Sequence, residues 1–121
     1  MIVLLKVIPL FIEPVNDQVD EAYKLGADIV ELHTGLFCGL SGKNRYSEFQ
    51  RLENAVDHAT SLGVEVHAGH GLDFETTSII SKIRGLKELN IGHSIISRAI
   101  TVGLGQATKE MLTQMAGYYT E

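Results

Sequence analysis

The segment VHAGHGL, residues 66–72, places two imidazoles and two glycines at the end of an apolar stretch. A strand that only packs would continue with branched apolar residues, because burying histidine and ordering glycine both cost free energy. An imidazole can donate or accept a proton near neutral pH, which suits general acid–base chemistry. His70, which lies between two glycines, is therefore the first candidate catalytic residue.

Two other predicted strands end in the same way, with ELHTG at residues 31–35 and GHS at residues 92–94. Glycine lets the backbone approach an anion closely, and the start of a following helix offers free N–H groups. Gly71 and Gly92 are therefore predicted to bind a phosphate, unless they are ordinary turn glycines. Packing alone does not explain histidine and glycine at the ends of three successive strands.

Glu31 is the second unusual residue, because strand periodicity places it with His33 on the face opposite its apolar neighbours. That face should point into the interior of a barrel. A carboxylate there could transfer protons or stabilise a developing cation. It could also be a buried salt-bridge partner of Lys6 or Arg98.

Structural roles compete with the functional interpretation of the histidines. A hydrogen-bonded histidine at a strand end is common, so His33 and His67 are interpreted as structural, and His93 fits either role equally. His58 lies in the middle of a predicted helix among polar neighbours and is expected to be solvated.

Neither a nucleotide motif nor a metal motif is supported. GLSGKN, residues 39–44, lacks the glycine spacing and the final Ser/Thr of a P-loop, and the chain has no G-x-G-x-x-G. A zinc site built from Glu31, His33, His70 and His93 is chemically possible, but no two of these ligands form a local pair typical of zinc sites. We therefore expect no metal and no cofactor.

The elements that would position these residues alternate between strand and helix. Strands are predicted at residues 3–12, 28–33, 64–68 and 88–91, with Pro9 at a strand end or bulge. The alternation predicts parallel pairing with right-handed crossovers, and in such folds the working groups lie at the carboxyl ends of strands. The chain is predicted to be a single α/β unit without linkers.

The predicted helices follow from apolar spacing and glycine stops. The first is capped by Asn16 or Asp17 and ends at residues 25–26, and the segment TGLFCGLSGKN, residues 34–44, is expected to be a loop. The clearest helix carries one apolar face and stops at Gly63, its face being Phe49, Leu52, Ala55, Val56, Ala59 and Leu62. A shorter helix carries Ile79, Ile80 and Ile83, and a last helical region covers residues 94–115 with a break near residues 103–105.

Composition excludes several functional classes. The 121 residues carry a net charge of −5 and no basic stripe, which argues against a nucleic-acid or anionic-membrane partner. Cys38 is the single cysteine, so no intrachain disulfide can form and a cytoplasmic location is expected. The apolar opening is interrupted by Lys6 and closed by Glu13, so it predicts a buried strand rather than an export signal or a membrane span.

Three blocks resemble the pyridoxine 5′-phosphate synthase family in sequence, order and spacing: VELHTG at residues 30–35, AGHGL at 68–72 and ELNIGH at 88–93. LFIE at residues 10–13 and IISRA at 95–99 extend the resemblance over nearly the whole chain. It implies a (β/α)8 TIM barrel in large homo-oligomers that makes vitamin B6. The family condenses 1-deoxy-D-xylulose 5-phosphate with 3-amino-2-oxopropyl phosphate to pyridoxine 5′-phosphate, phosphate and water.

The resemblance implies a role for five residues of this chain. His70 would be the proton donor and Glu31 would stabilise the transition state. Gly71, Gly92 and His93 would bind the amino-ketone phosphate. These roles agree with the chemistry expected from the residues, because ring closure needs repeated proton transfers and both substrates carry phosphates.

The resemblance is to the carboxyl-terminal half of the family alone, so residues 1–121 are interpreted as half of a TIM-barrel domain. The family's amino-terminal half supplies further catalytic histidine and glutamate residues and a phosphate-binding arginine, which have no counterparts here, and His67 replaces a usual asparagine. Four β-α units cannot close an eight-stranded barrel, and they leave two sheet edges and an inner face uncovered. The chain is therefore interpreted as a fragment or as a half-barrel that needs a partner half. A non-catalytic interaction module and another phosphate-binding barrel enzyme are the alternatives.

Overall fold

In the computed structural model, which describes residues 9–116, four strands form one parallel sheet in the order in which they occur in the chain. The elements are β1 (Leu10–Ile12), α1 (Asn16–Lys24), β2 (Ile29–His33), α2 (Gly35–Gly39), α3 (Gly42–Ser61), β3 (Glu65–Gly69), α4 (Phe74–Ile80), β4 (Leu86–Asn90), α5 (His93–Val102) and α6 (Leu104–Gln114).

Each strand is followed by at least one helix. This helical connection carries the chain back to the end of the sheet where the strands begin, so that the next strand pairs in parallel. The structure thus confirms the α/β class and the four parallel β-α units, which is consistent with half of a TIM barrel. His33 lies opposite Gly69, and Gly69 lies opposite Asn90, so the carboxyl ends of β2, β3 and β4 meet at one edge.

The hydrophobic core lies between the sheet and the helices. Val30 and Leu32 of β2 are fully buried on the helix side, where Leu52 and Val56 of α3 belong to the same apolar cluster. This confirms the apolar face predicted for α3. The opposite side of the sheet, here called the open face, carries Phe11, Glu31, His67 and Glu88 in one row. The Phe11 side of this row is uncovered, since that residue is 55% exposed.

The segment predicted as a loop at residues 34–44 is mostly helical, so that prediction was wrong. It contains α2 and the beginning of α3, which starts at Gly42. Phe37 is completely buried in the core, and this packing outweighs the poor helix propensity of the two glycines in α2.

Several predicted boundaries also shift. Of the first predicted strand, residues 10–12 form β1, Pro9 precedes it, and residues 3–8 lie outside the described residues. Asn16 is the first residue of α1 and not its cap, because the N-cap is Val15. The Glu13 N–H, just before the helix, donates to Gln18 Oε1 in its first turn (2.8 Å).

Two further boundaries lie in the second half of the chain. Ile83 is buried but follows the end of α4, and β4 begins at Leu86 and not at Glu88. The predicted break in the last helical region is confirmed at Gly103, whose φ is +86°. Between residues 9 and 116, no helix combines the length and the apolar character needed to cross a bilayer.

The burial pattern predicts how the stability of the chain responds to truncation. Leu32→Ala should lower the free energy of unfolding by about 2–5 kcal/mol, because it leaves a cavity between β2 and the helices. Ile100→Ala is the matched control, since Ile100 is 85% exposed and its truncation should change stability by less than about 0.5 kcal/mol. Urea unfolding of both variants measures the difference, and equal effects would contradict this packing.

Candidate active site

A cavity of about 630 Å³ opens at the carboxyl ends of β3 and β4. It is lined by the loop that follows β3 and by the residues that lead from the end of β4 into α5, namely His70, Gly71, Leu72, Asp73, Asn90, Ile91, Gly92, His93 and Ser94. Four of the five predicted site residues therefore share one cavity. The fifth, Glu31, is bonded to Asn90 in the cavity wall.

His70 has an unusual backbone conformation. Its φ is +90°, and among residues 9–116 it is the one non-glycine residue with positive φ. Gly71 follows with a φ of +76°. The buried Thr34 hydroxyl lies 2.8 Å from the Gly69 carbonyl oxygen and 2.7 Å from that of His70, so its proton is shared between them. Thr34 thereby fixes the turn that presents His70.

The imidazoles of His33 and His70 are stacked, with ring centroids 4.4 Å apart and an interplanar angle of 28°. The Gly35 N–H donates to His33 Nδ1 (3.1 Å). Phe11 contacts His33 edge-on at 5.2 Å between centroids. His33 therefore belongs to the surroundings of His70.

Glu31 is held by an amide from a strand that is not its neighbour in the sheet. Asn90 Nδ2 donates to Glu31 Oε1 (2.6 Å), across Gly69 of the intervening strand. A Cβ at position 69 would lie 2.7 Å from Glu31 Oε2 and 3.1 Å from Asn90 Cβ. The side chains of Glu31 and Asn90 therefore meet in the space that glycine leaves at position 69, and a larger residue there would displace their hydrogen bond.

The proposed salt bridge of Glu31 to Arg98 is not formed. Arg98 donates to Glu110 through Nε and Nη2 (2.9 and 3.0 Å), which ties α5 to α6. Lys6, the other suggested partner, lies outside the described residues.

The prediction that His58 is solvated was incomplete, because its Nε2 lies 2.6 Å from Asp20 Oδ1 and links α3 to α1.

His67 lies on the open face below the cavity and does not line it. Its Nε2 is 2.6 Å from Glu65 Oε2, and its Nδ1 is 3.3 Å from Glu88 Oε2. The His67 ring thus lies between two carboxylates, with one ring nitrogen near each. The geometry agrees with the structural role predicted for His67.

The loop between His70 and α4 is closed by Asp73. Its carboxylate accepts from the Thr76 N–H and hydroxyl (both 2.8 Å), and the Asp73 N–H donates back to that hydroxyl (2.8 Å). Burial alone would raise the pKa of Asp73, but these hydrogen bonds outweigh it and lower the pKa below its ordinary value. Across the cavity, the Ser94 hydroxyl donates to the Leu72 carbonyl (2.8 Å) and links the two loops.

Cys38 lies close to His70 but is not poised as a nucleophile. Burial raises the pKa of its thiol, so the thiol stays protonated at neutral pH. Its Sγ donates weakly to the His70 carbonyl oxygen (3.8 Å). In the part of the chain that the structure describes, no three His, Cys, Asp or Glu side chains are grouped so that they could hold a metal.

Sequence reasoning missed Thr34 and Asn90. Both are polar residues at strand ends, a signal that was available, but their partners are far away in sequence and depend on the register of the sheet. Asn90 lies in one of the three blocks that carry the family resemblance, and Thr34 lies in another.

The Asp73 cap predicts a pH-dependent contribution to stability. The lowered pKa means that the ionised carboxylate stabilises the fold above its unfolded pKa of about 3.9, and that this contribution is lost as pH falls through the folded value. Asp73→Asn should therefore lower stability at pH 7 by about 1 kcal/mol or less, and the difference from wild type should shrink at pH 3.

Urea unfolding at both pH values measures this, with Asp57→Asn as the control on an exposed helical carboxylate. A difference from wild type that grows on acidification would contradict the cap.

Comparison with known proteins places this chain in a family. Residues 5–117 match the family model described as "Pyridoxal phosphate biosynthesis protein PdxJ". The chain is 46% identical over 103 residues to a pyridoxine 5′-phosphate synthase of Prochlorococcus marinus subsp. pastoris, covering 85% of this chain and 43% of that protein. The corresponding enzyme of Rhodospirillum rubrum is 47% identical over 109 residues, covering 89% and 44%.

A third relative, from Akkermansia muciniphila, is 47% identical over 105 residues and is again covered to 43%. The chain thus spans less than half the length of these curated relatives. Because the family model covers nearly all of its residues, the chain belongs to the PdxJ family of pyridoxal phosphate biosynthesis proteins.

Proposed function

We propose that this chain is the carboxyl-terminal, catalytic half of a pyridoxine 5′-phosphate synthase. The reaction condenses 1-deoxy-D-xylulose 5-phosphate with 3-amino-2-oxopropyl phosphate and yields pyridoxine 5′-phosphate, phosphate and water. One observation carries the proposal: His70, the Glu31–Asn90 pair and the start of α5 converge at a single cavity. The names of the relatives support the same reaction.

Phosphate binding is assigned to the beginning of α5. Gly92 is the N-cap of this ten-residue helix and no side chain caps it, so the first N–H groups remain available to an anion. A Cβ at Gly92 would meet no atom within 4 Å, so the space beside the backbone is open. Gly71 and His93 line the same cavity and complete the proposed site for the phosphate of the amino-ketone.

Proton donation is assigned to His70. Joining an amine to a ketone expels water, and the departing hydroxyl leaves more readily when it receives a proton. His70 lies in the cavity wall beside the proposed phosphate site, on a turn fixed by Thr34. An imidazole there can give up a proton in one step and recover it in another.

Glu31 is assigned the stabilisation of cationic intermediates. Imines formed from the amine carry positive charge when protonated, and a fixed carboxylate nearby lowers the energy of such a species. The Asn90 amide orients the carboxylate through Oε1 without neutralising its charge. The carboxylate is therefore oriented before substrate arrives.

The remaining half of the barrel is the proposed partner. In the described residues, β1 and β4 each have one unpaired edge, and the open face is polar and accessible at Glu88. No residue of α5 is buried, and its Ile96 and Ile100 are 58% and 85% exposed. An amino-terminal half would cover these surfaces, and we propose that the completed barrels form homo-oligomers in the cytoplasm.

The first test is complementation. The chain alone should give no pyridoxine 5′-phosphate from the two phosphate substrates, because half of the barrel is absent. Co-purified with the amino-terminal portion of the Rhodospirillum rubrum relative, it should give product, measured by chromatography. Turnover by a monomeric preparation of the chain alone would contradict the half-site model. A stable complex without turnover would contradict the proposed activity and favour an interaction module or another phosphate-binding enzyme.

The second test addresses His70 in the complemented enzyme. His70→Asn should lower kcat by at least about 100-fold, because it removes the proton donor, while KM changes little. His58→Asn is the matched control: it alters a histidine on α3 that does not line the cavity, so kcat should be unchanged. A rise in KM of similar size with kcat preserved would instead make His70 a substrate-binding residue.

A further inference from the structure

The stacked imidazoles of His33 and His70 carry an inference that rests on the proposed role of His70. We propose that His33 is a positioning residue: its ring orients the His70 ring while leaving both nitrogens of His70 available for proton transfer. The stack has a centroid separation of 4.4 Å and an angle of 28°, the near-parallel arrangement in which ring faces are in contact.

A histidine that donates a proton must be oriented while its donating nitrogen stays free, commonly through a hydrogen bond to the other ring nitrogen. Within residues 9–116, neither ring nitrogen of His70 forms a hydrogen bond to the protein, and Thr34 holds only its backbone carbonyl. The ring contact described for His70 is the stack on His33. Stacking restricts the plane of the ring without occupying either nitrogen.

His33 can serve as a platform because it is itself fixed. Nδ1 accepts the Gly35 N–H (3.1 Å), and the ring of Phe11 meets it at an angle of 78°. An accepting Nδ1 carries no proton, so the neutral ring has its proton on Nε2. Backbone geometry therefore determines both the orientation and the tautomer of His33.

The rings of His33 and His70 both pack next to the backbone of Gly35. A Cβ there would overlap His33 Cε1 and would lie 3.0 Å from both His33 Nδ1 and His70 Cδ2. Gly39, at the other end of the same short helix, has no atom within 4 Å of its corresponding position. The space at Gly35 is thus specific to the imidazole pair.

The first test does not depend on turnover. In the chain labelled with ¹⁵N-histidine, NMR should show His33 as the Nε2–H tautomer, with nuclear Overhauser effects between the ring protons of His33 and His70. Gly35→Ala should remove these effects, and Gly39→Ala should keep them. A proton on His33 Nδ1 at neutral pH, or no contact between the rings in the wild type, would overturn the proposal.

The second test separates stacking from hydrogen bonding in the complemented enzyme. His33→Ala and His33→Asn should lower kcat at least about tenfold with KM little changed, because a misplaced donor slows the chemical step. His33→Phe keeps a planar ring and should recover most of kcat, whereas Asn keeps only an acceptor for Gly35.

Unchanged kcat in His33→Ala, or recovery by Asn and not by Phe, would overturn the positioning role. Urea unfolding of the same variants shows whether lost stability accounts for the change in kcat, which would also overturn it. If the complemented wild type shows no turnover, the proposed function fails, while the NMR experiment still decides whether the stack exists.

Discussion

The hydrogen bond from Asn90 to Glu31 crosses the whole width of β3, and the geometry of the site depends on this crossing. Its two residues belong to strands that are not neighbours, so they meet only because the intervening residue, Gly69, has no side chain. The same register places His33 beside Gly69 and puts Thr34 within reach of the turn at His70. One missing Cβ thus lets three strands contribute to a single cluster.

The two faces of the sheet follow opposite physical rules. On the helix side, Val30 and Leu32 are fully buried, and this apolar contact supplies the stability of the chain. On the open face, carboxylates are tolerated because they are paired or remain hydrated: His67 lies between Glu65 and Glu88, and Asn90 binds Glu31. The chain can therefore keep a packed core on one face of the sheet while the other face carries charged side chains.

The sequence predicted the site to the extent that the site depends on local pattern. The alternation of strand and helix brings the strand ends together, so the sequence alone was enough to assign four residues to one cavity, namely His70, Gly71, Gly92 and His93. The period-two alternation of β2 likewise placed Glu31 on the correct face of the sheet.

Contacts that depend on register were not predictable from the sequence. The irregularity of pairing between β3 and β4 at Val66 and His67 determines which residue of β4 faces Gly69, and no local pattern reveals it. Asn90 was missed for this reason, and Thr34 was missed because its contacts with Gly69 and His70 depend on how β2 pairs with β3. The helix α2 was missed because burial of Phe37, a tertiary effect, outweighs the glycines around it.

The conformation of His70 shows how strain and support are balanced at a site of this kind. A positive φ at a non-glycine residue costs about 1 kcal/mol or more, and the turn persists only if its surroundings offset that cost. The Thr34 hydroxyl, shared between two carbonyls, contributes roughly 1 kcal/mol, and the ring contact with His33 adds to it. An ordinary packed histidine would need neither the strained turn nor its supports. The strained turn and its supports at this one imidazole, beside a helix start without a side-chain cap, are therefore physical support for the proposed role of His70 as the proton donor, independent of sequence similarity.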